Sequence, residues 1–308
     1  MITTYNAEEW IKECIHSVCK QSYSDLQILI IDDGSFDSTT KIISKINDPR
    51  IDLYIKPHSG ISKSLNFAID KIRGEYVARM GADDYCDSNR IMYQMKFKTE
   101  NPEYGIVGSN YYLIDGKNNL ISKMRNPTKD KWIKNIMTLK CSVWDGSALF
   151  DSNIFRIGFN EKLLAGEDWD FFLRVLDKTK FYNLRNFLTY KRIHDNNISN
   201  SHVASLESKR ILINFNESLI LTSHDKNKVA QSYFNIGYLY YYESNFAASV
   251  NYFKKALENN RKPIRFYRYY FFAKYFSGVV KFIRKRKLYR YFAFLKFLDR
   301  KNRFFRPE

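Results

Sequence analysis

Leu26-Gln27-Ile28-Leu29-Ile30-Ile31, followed at once by Asp32-Asp33-Gly34-Ser35, reads as a buried strand ending in a carboxylate-bearing turn. A second run of this kind, Tyr76 to Met80, leads into Ala82-Asp83-Asp84. Ligands of an open α/β sheet bind beyond the carboxyl ends of its strands, so acids at two such ends can share one crevice. Two later clusters, Glu167-Asp168-Trp169-Asp170 and Tyr190-Lys191-Arg192-Ile193-His194, follow in order.

Around these runs strands and helices alternate, which predicts a mostly parallel sheet with helices on its faces. Ile2 to Thr4 reads as the end of a strand, and a helix follows from about Ala7 to Cys19. Further helices are expected near Ser38 to Ile46, with Ser35 and Ser38 as candidate caps, at Ile61 to Ile72, and near Arg90 to Thr99. Strands are expected at Ile51 to Ile55 and Gly105 to Val107. The first strand is short beside the roughly five residues usual for one, so Met1 reads as a truncated or misannotated start.

From about Ser205 the pattern turns helical. Ala230, Tyr233, Ile236, Gly237, Tyr240, Phe246, Ala248, Tyr252 and Ala256 follow the small and aromatic spacing of one tetratricopeptide repeat. Such repeats normally stack in about threes, so a single hairpin either packs on a neighbour or binds a protein partner; an ordinary helical hairpin fits equally. The segment 261–308 holds 16 Lys and Arg against Asp299 and Glu308, which is +14 of the chain's +17, together with 16 aromatic residues. Leu288, Tyr291, Phe292 and Leu295 fall at helical spacing there. Such a helix suits an anionic membrane surface; a solvated helix and nucleic-acid binding are the alternatives, the last disfavoured because the rest of the chain is nearly neutral. The expected division is 1–204, 205–260 and 261–308.

At 308 residues and 44% hydrophobic composition the chain is large enough for a globular core. Cys14, Cys19, Cys86 and Cys141 form no C-x-x-C pair, so reduced thiols are expected rather than a disulfide framework or a zinc site. Glu8 and Glu9 stand where a secretory signal would be basic and apolar, and no apolar run approaches the roughly 18 residues of a membrane span. A cytoplasmic protein held at the inner face of the membrane is expected. Neither a P-loop nor a G-x-G-x-x-G motif occurs, which argues against an ATPase or a nicotinamide dehydrogenase.

Seven segments in order, Thr3 to Ala7, Ile31 to Ser35, Gly60 to Asn66, Ala78 to Asp84, Gly158 to Glu161, Gly166 to Asp170 and Tyr190 to His194, make residues 1 to about 200 resemble a family 2 glycosyltransferase with the GT-A fold. The resemblance implies an inverting, metal-dependent enzyme. Its donor would be a nucleotide-sugar, UDP-linked, and its acceptor a glycan or lipid-linked saccharide of surface polysaccharide synthesis. Asp33 would read the uracil ring, with Thr3 and Tyr5 closing around base and ribose. Asp84 and Asp83 would hold Mn2+ or Mg2+ and the ribose, and His194 would approach the diphosphate or acceptor. Asp168 would be the general base.

Each assignment has a plainer counterpart. Asp33 can belong to a turn capping the next helix, Asp83 and Asp84 to a surface turn, Asp168 to an acidic first helical turn, and His194 to the core. In a helix starting near Glu167, Asp168 shares a face with Phe172, Val175 and Leu176 while Asp170 points elsewhere. The commoner family pattern has an Asp where this chain has Gly81, so restoring that acid is expected to leave activity intact or raise it. A scaffold that binds nucleotide-sugar without turnover, acting through its helical extension, is the alternative function.

Overall fold

The computed structural model describes residues 1–195, 197 and 201–285. Two compact units emerge, Met1–Ser208 and Lys209–Glu308. In the first, the order is β1 (Ile2–Thr4), α1 (Ile11–Cys19), β2 (Ile28–Asp32), α2 (Thr39–Ile43), β3 (Ile51–Ile55), α3 (Ile61–Ile69), β4 (Tyr76–Ala78), β5 (Met80–Gly81), β6 (Tyr85–Cys86), α4 (Arg90–Glu100), β7 (Ile106–Ile114) and β8 (Leu120–Met124). Then follow α5 (Asp130–Met137), a 3-10 turn (Asp145–Ser147), β9 (Leu149–Asp151), α6 (Ser152–Phe155), α7 (Glu167–Arg174) and β10 (Phe181–Arg192).

The parallel sheet expected from the alternation is present in the order β3-β2-β1-β5. β2 is buried along its whole length because both of its faces are covered, which is why it reads as an unbroken apolar run. Ile2, Ile11, Cys14, Ile15, Ile28, Ile30 and Met80 share the core beneath it, and all four cysteines are free. A second, mixed sheet runs β4-β9-β7-β10-β6, with β8 on β7. Only its β7–β10 pair is parallel.

The run Tyr76 to Met80, expected as one strand, is divided between the two sheets. Ala78 pairs with Leu149 of β9, whereas Met80 pairs with Ile2 of β1. Arg79 is the crossing residue, and its N–H donates to Ala148 O. This crossing, together with β10, brings groups from the second sheet to the carboxyl ends of the first.

The helical elements that follow are α8 (His202–Thr222), α9 (Lys226–Tyr242), α10 (Phe246–Asn259), α11 (Ile264–Tyr275) and α12 (Ser277–Lys285). Asp225 and Asn245 cap α9 and α10 by accepting the N–H groups of Asn227 and Ala248. α9 and α10, which cover the residues with the repeat-like spacing, pack against each other. A methyl on Gly237 would stand 2.8 Å from Phe253, so the missing side chain is what lets the helices approach. α11 closes this bundle with Phe266, which stacks on Phe234 at 4.7 Å and is fully buried. The helical face expected from Leu288 to Leu295 lies outside the described residues. Among the described residues no helix is long and apolar enough to cross a membrane.

Candidate active site

The turn after β2 separates the roles of its two acids. Asp32 accepts the N–H groups of Gly34 and Ser35 and the Ser35 hydroxyl, at 2.6–3.1 Å, and so holds the turn. Ser35 is thereby committed to Asp32, and Ser38 precedes α2 without a side-chain cap bond. Gly34 has φ 79, and a methyl there would meet His58 N at 2.8 Å. Asp33, freed from turn duty, faces the loop between β3 and α3. Its carboxylate accepts from Lys56 Nζ, from Ser59 N at 3.0 Å and from Gly60 N at 2.8 Å, and meets His58 Nδ1 at 2.9 Å. Burial opposes its charge, but Lys56 and the Gly60 N–H outweigh it and hold the carboxyl below its ordinary range. Tyr5 stacks on His58 at 4.1 Å and meets Phe36 edge-on, leaving exposed rings beside a fixed anion. Thr3 lies in the ladder between Ile31 and Gly81.

At the end of β5 two carboxylates converge. A methyl on Gly81 would stand 2.5 Å from Asp84 Oδ2 and 2.9 Å from Asp83 Oδ1. The acids therefore use the space that a side chain at 81 would need. A restored Asp there would place its Cβ against the ends of Asp84 and Asp83, and one of these carboxylates must shift to admit it. Asp84 is buried and accepts Arg192 N–H at 2.8 Å; burial first, then the charge of Asp83, pushes its carboxyl well above its usual range.

Arg192 clamps this corner. Its Nε donates to Asp83 O at 2.8 Å, and its other nitrogens reach Asn118 Oδ1 at 2.5 Å and Glu13 Oε2 at 2.6 Å. His194 Nε2 meets Asp83 Oδ2 at 3.0 Å, Asn197 donates to the same oxygen at 2.9 Å, and the imidazole stacks on Trp10 at 4.2 Å. His194 Nδ1 is buried without a partner among the described residues.

Among the described residues no cluster of three or more His, Cys, Asp or Glu has the geometry of a metal site. The two neighbouring carboxylates are nonetheless of the right chemistry for a divalent cation, since Mg2+ and Mn2+ keep several waters and need only one or two protein carboxylates.

α7 begins after Gly166, which adopts φ 78. Asp170 pairs with Arg174 at 2.8 Å, one turn on, while half-buried Asp168 accepts its neighbour's Trp169 N–H at 2.7 Å. Burial, then Asp145 and Glu167, raises the Asp168 carboxyl to about 7, against the pull of the Trp169 N–H and Arg79. Asp145 opens the 3-10 turn and forms a buried ion pair with Arg79, whose Nε has no hydrogen-bond partner among the described residues. Lys191 lies within electrostatic reach of Asp84, Asp145 and Asp168. Burial opposes its charge, but Tyr111, Asp84, Asp145 and Asp168 raise its proton affinity, and its ammonium lies 5.6 Å over the Trp144 ring.

Asp83, Asp84 and His194 are thus directly joined, and Asp33 meets Tyr5 through His58. Asp168 and Asp84 both raise the proton affinity of Lys191. The groups not anticipated are Arg79, Asp145, Arg192, Asn197 and Trp10. Arg79 and Arg192 stand inside motifs quoted above, but nothing in their spacing tells that one crosses between sheets and the other ties two loops to α1.

Residues 1–164 match glycosyl transferase family 2. Over 222 residues, 71% of its length, the chain is 26% identical to a hyaluronan synthase of Pasteurella multocida, of which this covers 22%. An uncharacterized glycosyltransferase of Rickettsia typhi is 29% identical over 220 residues, 69% of each chain. The chain spans less than a third of the hyaluronan and chondroitin synthases it matches. Among solved structures, S. aureus TarS 1–349 in complex with UDP-GlcNAc aligns with a TM-score of 0.63 at 18% identity, covering 86% of this chain and 81% of that one. The mannosyltransferase PcManGT from Pyrobaculum calidifontis, in complex with GDP-Man and Mn2+, aligns with a TM-score of 0.58 at 15% identity, covering 98% and 85%. These two likenesses show a shared GT-A fold.

Proposed function

The chain belongs to glycosyl transferase family 2, and from that premise we propose that it moves a sugar, with inversion, from a UDP-sugar to a hydroxyl of a glycan or lipid-linked saccharide in surface polysaccharide synthesis. The observation that supports this reading is the presence of two acidic centres in one unit: Asp83 and Asp84 at the end of β5, and Asp168 with its proton affinity raised to about 7 at the start of α7. Asp168 takes the proton of the acceptor hydroxyl as its oxygen attacks the anomeric carbon. The bond from that carbon to the diphosphate breaks and the leaving group keeps the electron pair. A carboxylate whose proton affinity lies near working pH suits a general base.

Asp83 and Asp84 would hold Mn2+ or Mg2+, which when bound supplies Lewis-acid stabilisation of the departing diphosphate. Lys191, held protonated among the acids, adds positive charge at the same place. Asp33, Tyr5 and Thr3 would receive base and ribose. The helical hairpin would be the binding face for a protein partner. The basic C-terminal segment would hold the enzyme at the inner, anionic face of the cell membrane.

The test is a panel of UDP- and GDP-sugars with Mn2+ or Mg2+, read for released nucleotide and for thermal shift. Metal-stimulated release from a UDP-sugar, lost in Asp168→Asn while the thermal shift persists, is the expected result. A donor-dependent thermal shift without any release, with saccharide acceptors present, would leave a nucleotide-sugar-binding scaffold instead.

A further inference from the structure

α11 is apolar on two opposite faces. Its inner face is occupied: Phe266 and Ala273 are buried, and Tyr269 meets Tyr241 edge-on at 5.2 Å. Its outer face carries Ile264, Tyr267, Phe271 and Tyr275, spaced three, four and four residues apart and 46–78% exposed. At 100° per residue these four lie within one narrow stripe. Val279 and Phe282 of α12 are likewise 50% and 56% exposed. A helix buried on one side has no need of aromatic rings on the other, and a contiguous exposed apolar surface marks an interaction site.

The charge around the stripe selects its occupant. Residues 261–285 contain eight Lys and Arg and no Asp or Glu. A second copy would bring two such rows of like charge together, which disfavours self-association. An anionic lipid surface is complementary to both features: it attracts the cations and accepts the rings at the depth of its headgroups.

We infer that the outer face of α11, through Ile264, Tyr267, Phe271 and Tyr275, is the surface that enters an anionic lipid interface. The inference rests on the membrane reading of the basic segment proposed above and narrows it to one helix face. The contact residues are side chains outside the catalytic unit, so they can be changed without touching the sugar-transfer machinery.

The experiment is co-sedimentation of the full chain with phosphatidylcholine vesicles, with and without about 30% phosphatidylglycerol, at low and high salt. The parent is compared with the triple variant Tyr267→Ser, Phe271→Ser, Tyr275→Ser, whose fold is checked by circular dichroism and whose donor hydrolysis should equal the parent's. Truncation is unsuitable because it removes Phe266 from the bundle. Burying three rings at an interface is worth at least about a tenfold change in partition, so the triple variant should lose tenfold or more of its binding to anionic vesicles. A second variant, Phe271→Trp, keeps an interfacial ring and should bind as the parent does. If parent and triple variant bind anionic vesicles equally, the stripe is not the contact, and only the charge-based membrane reading survives. If the parent ignores anionic vesicles, both readings fall. Concentration-dependent dimerisation without lipid, abolished in the triple variant, would give the face to a second copy and overturn the inference.

Discussion

Replacing Asp168 by Asn should make the protein more stable at alkaline pH while abolishing transfer. In the folded chain the Asp168 carboxyl is raised from its ordinary 3.8 to about 7. Folding therefore favours the protonated acid, and the charged form is destabilising. The cost is absent below pH 4, grows as pH rises between the two values, and is complete above pH 7. At about 1.4 kcal/mol per pH unit of displacement, the full cost is about 4 kcal/mol at pH 8 and roughly a third of that at pH 5. Asn imitates the neutral acid and still offers an oxygen to the Trp169 N–H, so it removes the cost without a new unsatisfied group. Allowing for relaxation around the parent's charge, a gain of about 2 kcal/mol corresponds to a rise of about 5 °C in Tm. Scanning fluorimetry at pH 5 and pH 8 measures this, and a parallel transfer assay should show a loss of about 100-fold to 10,000-fold. A variant no more stable than the parent at pH 8, or stabilised equally at both pH values, would refute the account of Asp168 as a base held against its environment.

Three further substitutions test the rest of the site. Asp145→Asn removes the charge that, after burial, does most to raise Asp168, so the acid limb of kcat/KM should move down by about one pH unit; an unmoved limb in an active variant separates Asp145 from the base. Gly81→Asp forces its Cβ against Asp84 and should weaken Mn2+-dependent donor binding by about 1–3 kcal/mol, as read by calorimetry, and affinity equal to the parent's would show that the acid pair gives way freely. Asp33→Asn removes an ionised acceptor and should cost about 1.5–3 kcal/mol in UDP binding; unchanged affinity would put the base elsewhere.

What could be read without coordinates was the material at strand ends. Asp33 follows an apolar run that is a buried strand because a sheet covered on both faces leaves no polar alternation, and Asp84 follows one that ends at the edge of the same sheet. Asp170 could be set aside from Asp168 because helical spacing turns it outward, where it pairs with Arg174. Arg79 and Asp145 could not be read. The first gains its role from a chain crossing inside an apparently continuous strand, and the second opens a three-residue turn with no periodicity. The twelve residues of β10 were equally opaque. Register shifts between Leu184 and Thr189 break its alternation, and its polar residues look like loop until Arg192 is seen beneath the acid pair.

The clamp on that pair also sets an order of assembly. Arg192 and Glu13 are 179 residues apart, and His194 and Asp83 are 111 apart. Closing such long loops comes late, because their entropy must be met before the contacts can form. A chain emerging from the ribosome can complete its parallel sheet once β5 is out, yet the acid pair lacks Arg192 and His194 until more than a hundred further residues have appeared. Residues 1–164, the stretch that matches the family, end before Asp168 as well. A nascent or truncated chain of that length would carry the β1, β2 and β5 strand ends but neither Asp168 nor the clamp, so the proposed transfer would have to wait for a finished first unit.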